Sequence, residues 1–179
     1  TLCESPIPAM ITMIGSTAGG LRMVRDSATS VKRFSMELGG NAPVIVTPSA
    51  DLSAAAAHVI GNKMRCAGQT CVAPQRAFVH RSVYREFLAL CTEIASGAKC
   101  GTLDEQANTG PLIDEAAVAR MEQLVADAVE KGASVACGGT RPADKASGFY
   151  FLPTILTGVT TDMRVFREEV FGPILALLP

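Results

Sequence analysis

No stretch of this chain is apolar for long enough to cross a bilayer. A run of about 18 uncharged apolar residues occurs nowhere, so a membrane span is not expected. Basic clusters are equally scarce. No block exceeds two adjacent Lys or Arg, and 16 basic residues stand against 17 acidic ones for a net charge of -1. The electrostatic footprint of a nucleic-acid binder is therefore missing. The opening TLCESPIPAM has no basic stretch leading into an apolar core, so this segment holds no secretory signal. Only His58 and His80 represent histidine, and the cysteines at 3, 66, 71, 91, 100 and 137 include no CxxC pair and no histidine at ligand spacing. That pattern argues against a zinc site and against a disulfide framework. It is the pattern of reduced intracellular thiols and points to a cytoplasmic protein. An initiator Met is also lacking, and the chain stops on the apolar run Gly172–Pro179, so a segment of a longer protein is expected.

What is present fits a folded chain with a substantial core. Of 179 residues, 48% are hydrophobic and 18% charged, far from the composition of a disordered chain. Met10 to Ile14 reads as a buried strand closed by Gly15. The turn Gly15-Ser16-Thr17-Ala18-Gly19-Gly20 follows, with Ser16 or Thr17 suited to cap a helix running to about Thr29. Phe34–Leu38 and Val44–Val46 read as short strands. Asp51 is placed to cap an Ala-rich helix over Leu52–Met64. Cys66–Pro74 is a loop, Arg76–His80 a strand and Val83–Ala95 a helix, apolar at Phe87, Leu88, Cys91 and Ile94. Residues 97–113 read as a loop. Asp114–Lys131 is a helix capped by Asp114, with Val118, Met121, Leu124, Val125 and Ala128 on one face and Gly132 ending it. Ser134–Cys137, Phe149–Leu156 and Pro173–Leu178 complete the strands. Alternating strands and helices predict an α/β fold, a mostly parallel open sheet with helices on both faces. The boundary is expected near Glu37–Gly40.

Three places could carry chemistry. Cys71 sits in Gly68-Gln69-Thr70-Cys71-Val72-Ala73-Pro74, where a glycine lets the backbone turn sharply and frees the Cys71 amide to face an oxyanion. A cysteine is usually a small buried hydrophobe, and position alone does not lift Cys71 above that reading. Glu37 lies between Met36 and Leu38, which makes it either a paired structural charge or a carboxylate raised in pKa for base catalysis. The Gly15–Gly20 turn, at a helix start, offers amides and a positive dipole end to a phosphate, though many such turns are only tight connections.

Together these segments resemble the aldehyde dehydrogenase superfamily over essentially the whole chain. Met36-Glu37-Leu38-Gly39-Gly40-Asn41-Ala42-Pro43 is similar to its glutamate signature and Gly68-Gln69-Thr70-Cys71 to its cysteine signature. The 34 residues separating Glu37 from Cys71 are the family's spacing. Ile14-Gly15-Ser16-Thr17 resembles its second glycine motif, and Glu168-Glu169-Val170-Phe171-Gly172-Pro173 its late loop. The resemblance implies an NAD- or NADP-dependent enzyme with Cys71 as nucleophile and Glu37 as general base. It implies Gly15, Ser16 and Gly20 beside the cofactor pyrophosphate, Leu38 beside the nicotinamide, and Glu169 and Phe171 on its ribose side. It also implies residues 1–36 as the end of a dinucleotide-binding domain, residues 37–179 as a truncated catalytic domain, and a homo-oligomeric parent, dimer or tetramer. The presence of Glu37 argues against the branch that passes the acyl group to coenzyme A.

Asn41-Ala42-Pro43, Lys63-Met64-Arg65 and Asn108–Ile113 look most like the succinate-semialdehyde subgroup, in which the arginine matching Arg65 grips the distal carboxylate. Arg65 could equally end a helix and compensate its dipole. Position 73 is Ala where some members carry a second cysteine, so a disulfide switch there is not expected. The oxyanion-hole asparagine, the lysine that binds the adenosine ribose and the oligomerisation segment have no counterpart here, so this stretch alone is expected to be inactive. Another aldehyde substrate, glutarate semialdehyde or a neutral one, and a non-catalytic protein retaining the fold are the alternatives.

Overall fold

The computed structural model describes residues 1–145 and 147–179. It divides into two compact units, Thr1–Gly40 and Asn41–Pro179.

Unit 1 is one βαβ crossover. β1 (Met10–Ile14) and β2 (Arg33–Glu37) pair in parallel, from Met10 opposite Arg33 to Ile14 opposite Glu37, and α1 (Thr17–Asp26) connects them. Parallel neighbours cannot be joined by a hairpin, so a crossover helix is required. The helix ends earlier than the expected Thr29 because Ser27 closes it: its Oγ donates to Met23 O at 2.6 Å. Serine competes for backbone groups in this way and so favours helix ends. Ile14, Leu21, Val31 and Phe34 remain exposed in this unit.

Unit 2 is built on a five-stranded sheet. Its strands are β3 (Pro43–Val46), β4 (Arg76–Val79), β5 (Ser134–Cys137), β6 (Thr154–Thr157) and β7 (Ile174–Leu178), in the spatial order β3-β4-β7-β6-β5. Every pairing is parallel except β5 with the neighbouring β6. The helices are α2 (Leu52–Met64), α3 (Tyr84–Ser96), α4 (Glu115–Glu130) and the single turn α5 (Arg164–Arg167). The central strand β7 shows why both sheet faces are covered. Ile174 and Ala176 point into one core with Val118, Met121 and Leu124 of α4, and Leu175 and Leu177 into the other with Ile60 of α2 and Phe87 of α3. All four strand residues are fully buried, as strict alternation between two covered faces demands. The open, mostly parallel α/β sheet with helices on both faces is thus the observed fold.

Local signals explain most elements. Asp51 and Asp114 cap α2 and α4, accepting from Ala54 N at 3.0 Å and Ala117 N at 2.8 Å, and Gly132 follows α4 at φ +97°. The expected strand over Phe149–Leu156 is the clearest departure, because only Thr154–Thr157 is strand. Phe149 O accepts from Leu112 N while Leu152 N donates to Thr140 O, so that stretch serves two partners rather than one ladder, and Pro153 has no N–H to give.

Candidate active site

The thiol loop begins where α2 is forced to stop. Arg65 leaves helical geometry (φ -56°, ψ 127°), and Cys66, Ala67 and Gly68 then take left-handed conformations in succession, at φ 51°, 54° and 71°. One such residue commonly closes a helix. Three in a row, two of them not glycine, hold strain that surrounding contacts must offset. Those contacts are present. Thr109 Oγ1 donates to Met64 O at 3.0 Å. Gln69 Nε2 donates to Cys66 O at 3.0 Å and Pro111 O at 3.3 Å, and Gln69 Oε1 accepts from Ile113 N at 2.9 Å. Gly68 lies so close to Gly172 that a Cβ there would fall 2.2 Å from its carbonyl oxygen.

Cys71 follows at the tip of a turn closed by Ala73 N donating to Thr70 O at 3.1 Å. Its side chain is exposed, as is that of Cys66, whereas Cys91 and Cys100 are buried. Burial pushes the Cys91 thiol up to about 12, with a smaller contribution from Cys137, and raises Cys100 and Cys137 as well. The small-hydrophobe reading of cysteine therefore holds for Cys91 and Cys100 and fails for Cys71. Arg65 is exposed at the end of α2. Two residues earlier Lys63 is fully buried with no hydrogen-bond partner for Nζ among the described residues, and desolvation lowers it from 10.5 to about 7.

The segment Glu168–Gly172 enters β7 beside this loop. Arg120 Nη1 donates to Glu168 Oε2 at 3.0 Å and Nη2 to Glu169 O at 2.7 Å. Hydrogen bonds from Arg164, with those of Arg120, hold the Glu168 carboxyl below the usual carboxylate range. Phe171 is 45% exposed and sits at φ 49°. Val170 N donates to Gln75 Oε1 at 2.6 Å. Gln69 enters the sequence reading only as part of the cysteine signature, and Gln75 and Arg120 go unremarked there. The one local signal is a polar residue, Gln75, directly before the strand β4.

In unit 1 the glycine turn closes β1. Gly15 N donates to Glu37 O at 3.0 Å, and Ser16 caps α1 by accepting from Gly19 N at 3.1 Å. Gly20 is buried against Leu38, where a Cβ would meet Cδ2 at 2.8 Å. The first turn of α1 carries no acidic side chain, and a helix start of that kind favours an anion. Glu37 ends β2 with its side chain exposed rather than enclosed by its apolar neighbours. Gly15, Ser16, Gly20, Glu37 and Leu38 thus gather in unit 1, and Arg65, Cys71, Glu169 and Phe171 in unit 2. Among the described residues no helix is long and apolar enough to cross a membrane, and no group of three or more His, Cys, Asp or Glu is assembled for a metal.

Residues 1–179, the whole chain, match the aldehyde dehydrogenase family. The chain belongs to that family. It is 42% identical over 177 residues to a succinate-semialdehyde dehydrogenase [NADP(+)] of Escherichia coli (strain K12), covering 98% of this chain and 36% of that protein. A 3-sulfolactaldehyde dehydrogenase of Pseudomonas putida is 43% identical over 177 residues, with the same 98% and 36% coverage. An aldehyde dehydrogenase of Mycobacterium tuberculosis complexed with NAD+ superposes with a TM-score of 0.94 at 36% identity, over 99% of this chain and 37% of that one. The chain therefore spans little more than a third of the length of these relatives.

Proposed function

We propose that this chain carries the thiol-bearing part of an NAD- or NADP-dependent aldehyde dehydrogenase that oxidises a short aldehyde with an anionic far end, succinate semialdehyde foremost. The observation that carries the reading is Cys71 itself, exposed at a turn tip in a loop braced on both sides while Cys91 and Cys100 lie in the core. The Cys71 thiolate adds to the aldehyde carbon, and the resulting oxyanion accepts from the Cys71 amide. A bound nicotinamide supplies the hydride acceptor. The thioester left on Cys71 is hydrolysed by water that Glu37 deprotonates.

The cofactor fits the residues present. The α1 mouth at Gly15 and Ser16, with Gly20 packed on Leu38, suits a pyrophosphate, and Glu169 and Phe171 serve the ribose side. Residues 1–36 are read as the end of a dinucleotide-binding domain, supported by the apolar side chains that unit 1 leaves exposed, and residues 37–179 as catalytic. The intact enzyme is read as a cytoplasmic homo-oligomer, dimer or tetramer, and the 179-residue chain by itself as inactive.

Arg65 decides the substrate. A carboxylate or a sulfonate suits a guanidinium fork, and relatives named for succinate semialdehyde and for 3-sulfolactaldehyde are each similar to 98% of this chain. In the full-length enzyme, Arg65→Ala should lose about 2–4 kcal/mol of transition-state binding on succinate semialdehyde, roughly 30- to 1000-fold in kcat/KM. Butyraldehyde, which has no charge to engage, should lose far less. Equal losses on both would make Arg65 structural and leave the aldehyde unspecified.

A further inference from the structure

Gln75 joins two segments that the sequence keeps far apart. Its side chain is wholly buried four residues after Cys71. Its Oε1 takes the Val170 N–H at 2.6 Å, its own N–H donates to Ala42 O at 3.0 Å, and its carbonyl accepts from Ala176 N at 3.0 Å. Val170 lies between Glu169 and Phe171, where the backbone enters a left-handed conformation and no strand partner faces it. A buried N–H left without an acceptor is destabilising, and here a side-chain amide takes the place of the missing ladder. On the near side of Cys71 the same segment is met again, by Gly68 against Gly172. The thiol loop is therefore fastened to residues 168–172 before and after the nucleophile.

We propose that Gln75 is a positioning residue that locks the Glu168–Gly172 segment to the Cys71 loop, so that Glu169 and Phe171 keep a fixed place relative to the thiol. The catalytic consequence rests on the reading of Cys71, Glu169 and Phe171 given above; the lock does not. The distance fixes the side chain required. Asn is shorter by one methylene, about 1.5 Å, and cannot span the contact, while Met fills the volume without accepting a hydrogen bond. Arg120 holds the outer half of the segment through Glu168 Oε2 and Glu169 O, and both bonds stay within that segment, so it separates a specific lock from general loosening.

The test compares Gln75→Met, Gln75→Asn and Arg120→Met in the full-length enzyme, with circular dichroism to establish folding. Hydrogen exchange at the Val170 amide and the rate of Cys71 alkylation by iodoacetamide need neither cofactor nor aldehyde. Either Gln75 variant should speed Val170 exchange tenfold or more and change Cys71 alkylation at least threefold, and Gln75→Asn supplies the result if Gln75→Met does not fold. Arg120→Met should leave Cys71 alkylation within twofold of the parent. Parent-like exchange and alkylation in a folded Gln75 variant would overturn the lock, as would an equal effect of Arg120→Met on Cys71. A rise in the KM for NAD(P) in Gln75→Asn, larger than any fall in kcat, joins the lock to cofactor binding. A broken lock with unchanged KM would instead sustain the lock and remove the cofactor roles of Glu169 and Phe171.

Discussion

Gly68→Ala should be among the most damaging single-methyl additions in this chain. Two costs coincide at that position. The backbone sits at φ +71°, which an L-residue adopts at an expense of roughly 1–2 kcal/mol. The added Cβ would also lie 2.2 Å from Gly172 O and 2.6 Å from Gly172 C, main-chain atoms of a segment pinned by Gln75 and Arg120. Forcing atoms into a packed interior costs typically 1–3 kcal/mol. The sum is about 2–5 kcal/mol, a large share of the 5–15 kcal/mol of a typical domain. Gly61→Ala is the matched control, since Gly61 is a helical residue inside α2 whose added Cβ meets nothing within 4 Å. It should stabilise by about 0.5–1 kcal/mol. Urea titrations followed by circular dichroism would give both values. If Gly68→Ala unfolds at the parent midpoint, the close approach of the thiol loop to Gly172 is wrong, and the anchoring argument falls with it.

Cysteine reactivity offers a second check. At pH 8 iodoacetamide should label Cys71 and Cys66 first and reach Cys91 only on unfolding, because a thiol raised from 9.0 to about 12 has roughly a thousandfold less thiolate; labelling of Cys91 ahead of Cys71 in folded protein would refute the placement. Glu37→Gln in the full-length enzyme should spare acylation and slow hydrolysis, so rapid quench should find a burst of reduced cofactor and a thioester on Cys71, whereas parent turnover would remove Glu37 from the mechanism. Lys63 binds its proton less tightly folded than unfolded, so between about pH 7 and 10.5 its contribution makes stability rise with pH, by up to about 1.4 kcal/mol per unit. Lys63→Met should flatten that rise and stabilise the protein at neutral pH, and an unchanged pH profile would mean the amine finds a partner.

The sequence made the regular elements legible wherever a local signal was strong. α4 announced itself through Asp114, its apolar spacing and Gly132, and α2 through Asp51. The burial of Lys63 was readable too, because it falls three and seven residues after Ile60 and Ala56 on the core face, but that helix was read by propensity and not by face. The left-handed run was not legible, since neither Cys66 nor Ala67 is a residue type that favours positive φ. Only Gly68 hinted at it. The lock at Gln75 was out of reach for a plainer reason: its partner lies 95 residues away, and no local pattern encodes such a contact.

The edge of the sheet on which these loops sit follows from register. In open parallel sheets ligands usually meet the carboxyl ends of the strands. The cofactor residues proposed in unit 1 follow that rule, with Gly15 and Ser16 directly after β1 and Leu38 directly after β2. Those proposed in unit 2 do not. The thiol loop leads into β4 and the Glu168–Gly172 segment into β7, and Arg76 is paired with Ala176 in register, so both loops arrive at the amino ends of neighbouring parallel strands. A loop that enters a strand is tied by the first rung of the ladder, and Gln75 is that rung, bonded to Ala42 on one side and Ala176 on the other. The main chain thereby fixes where the turn bearing Cys71 is rooted, and one further side-chain hydrogen bond suffices to fix the second loop against it. Sheet register thus roots the far end of the loop at Gln75, while Thr109 and Gln69 brace its left-handed start.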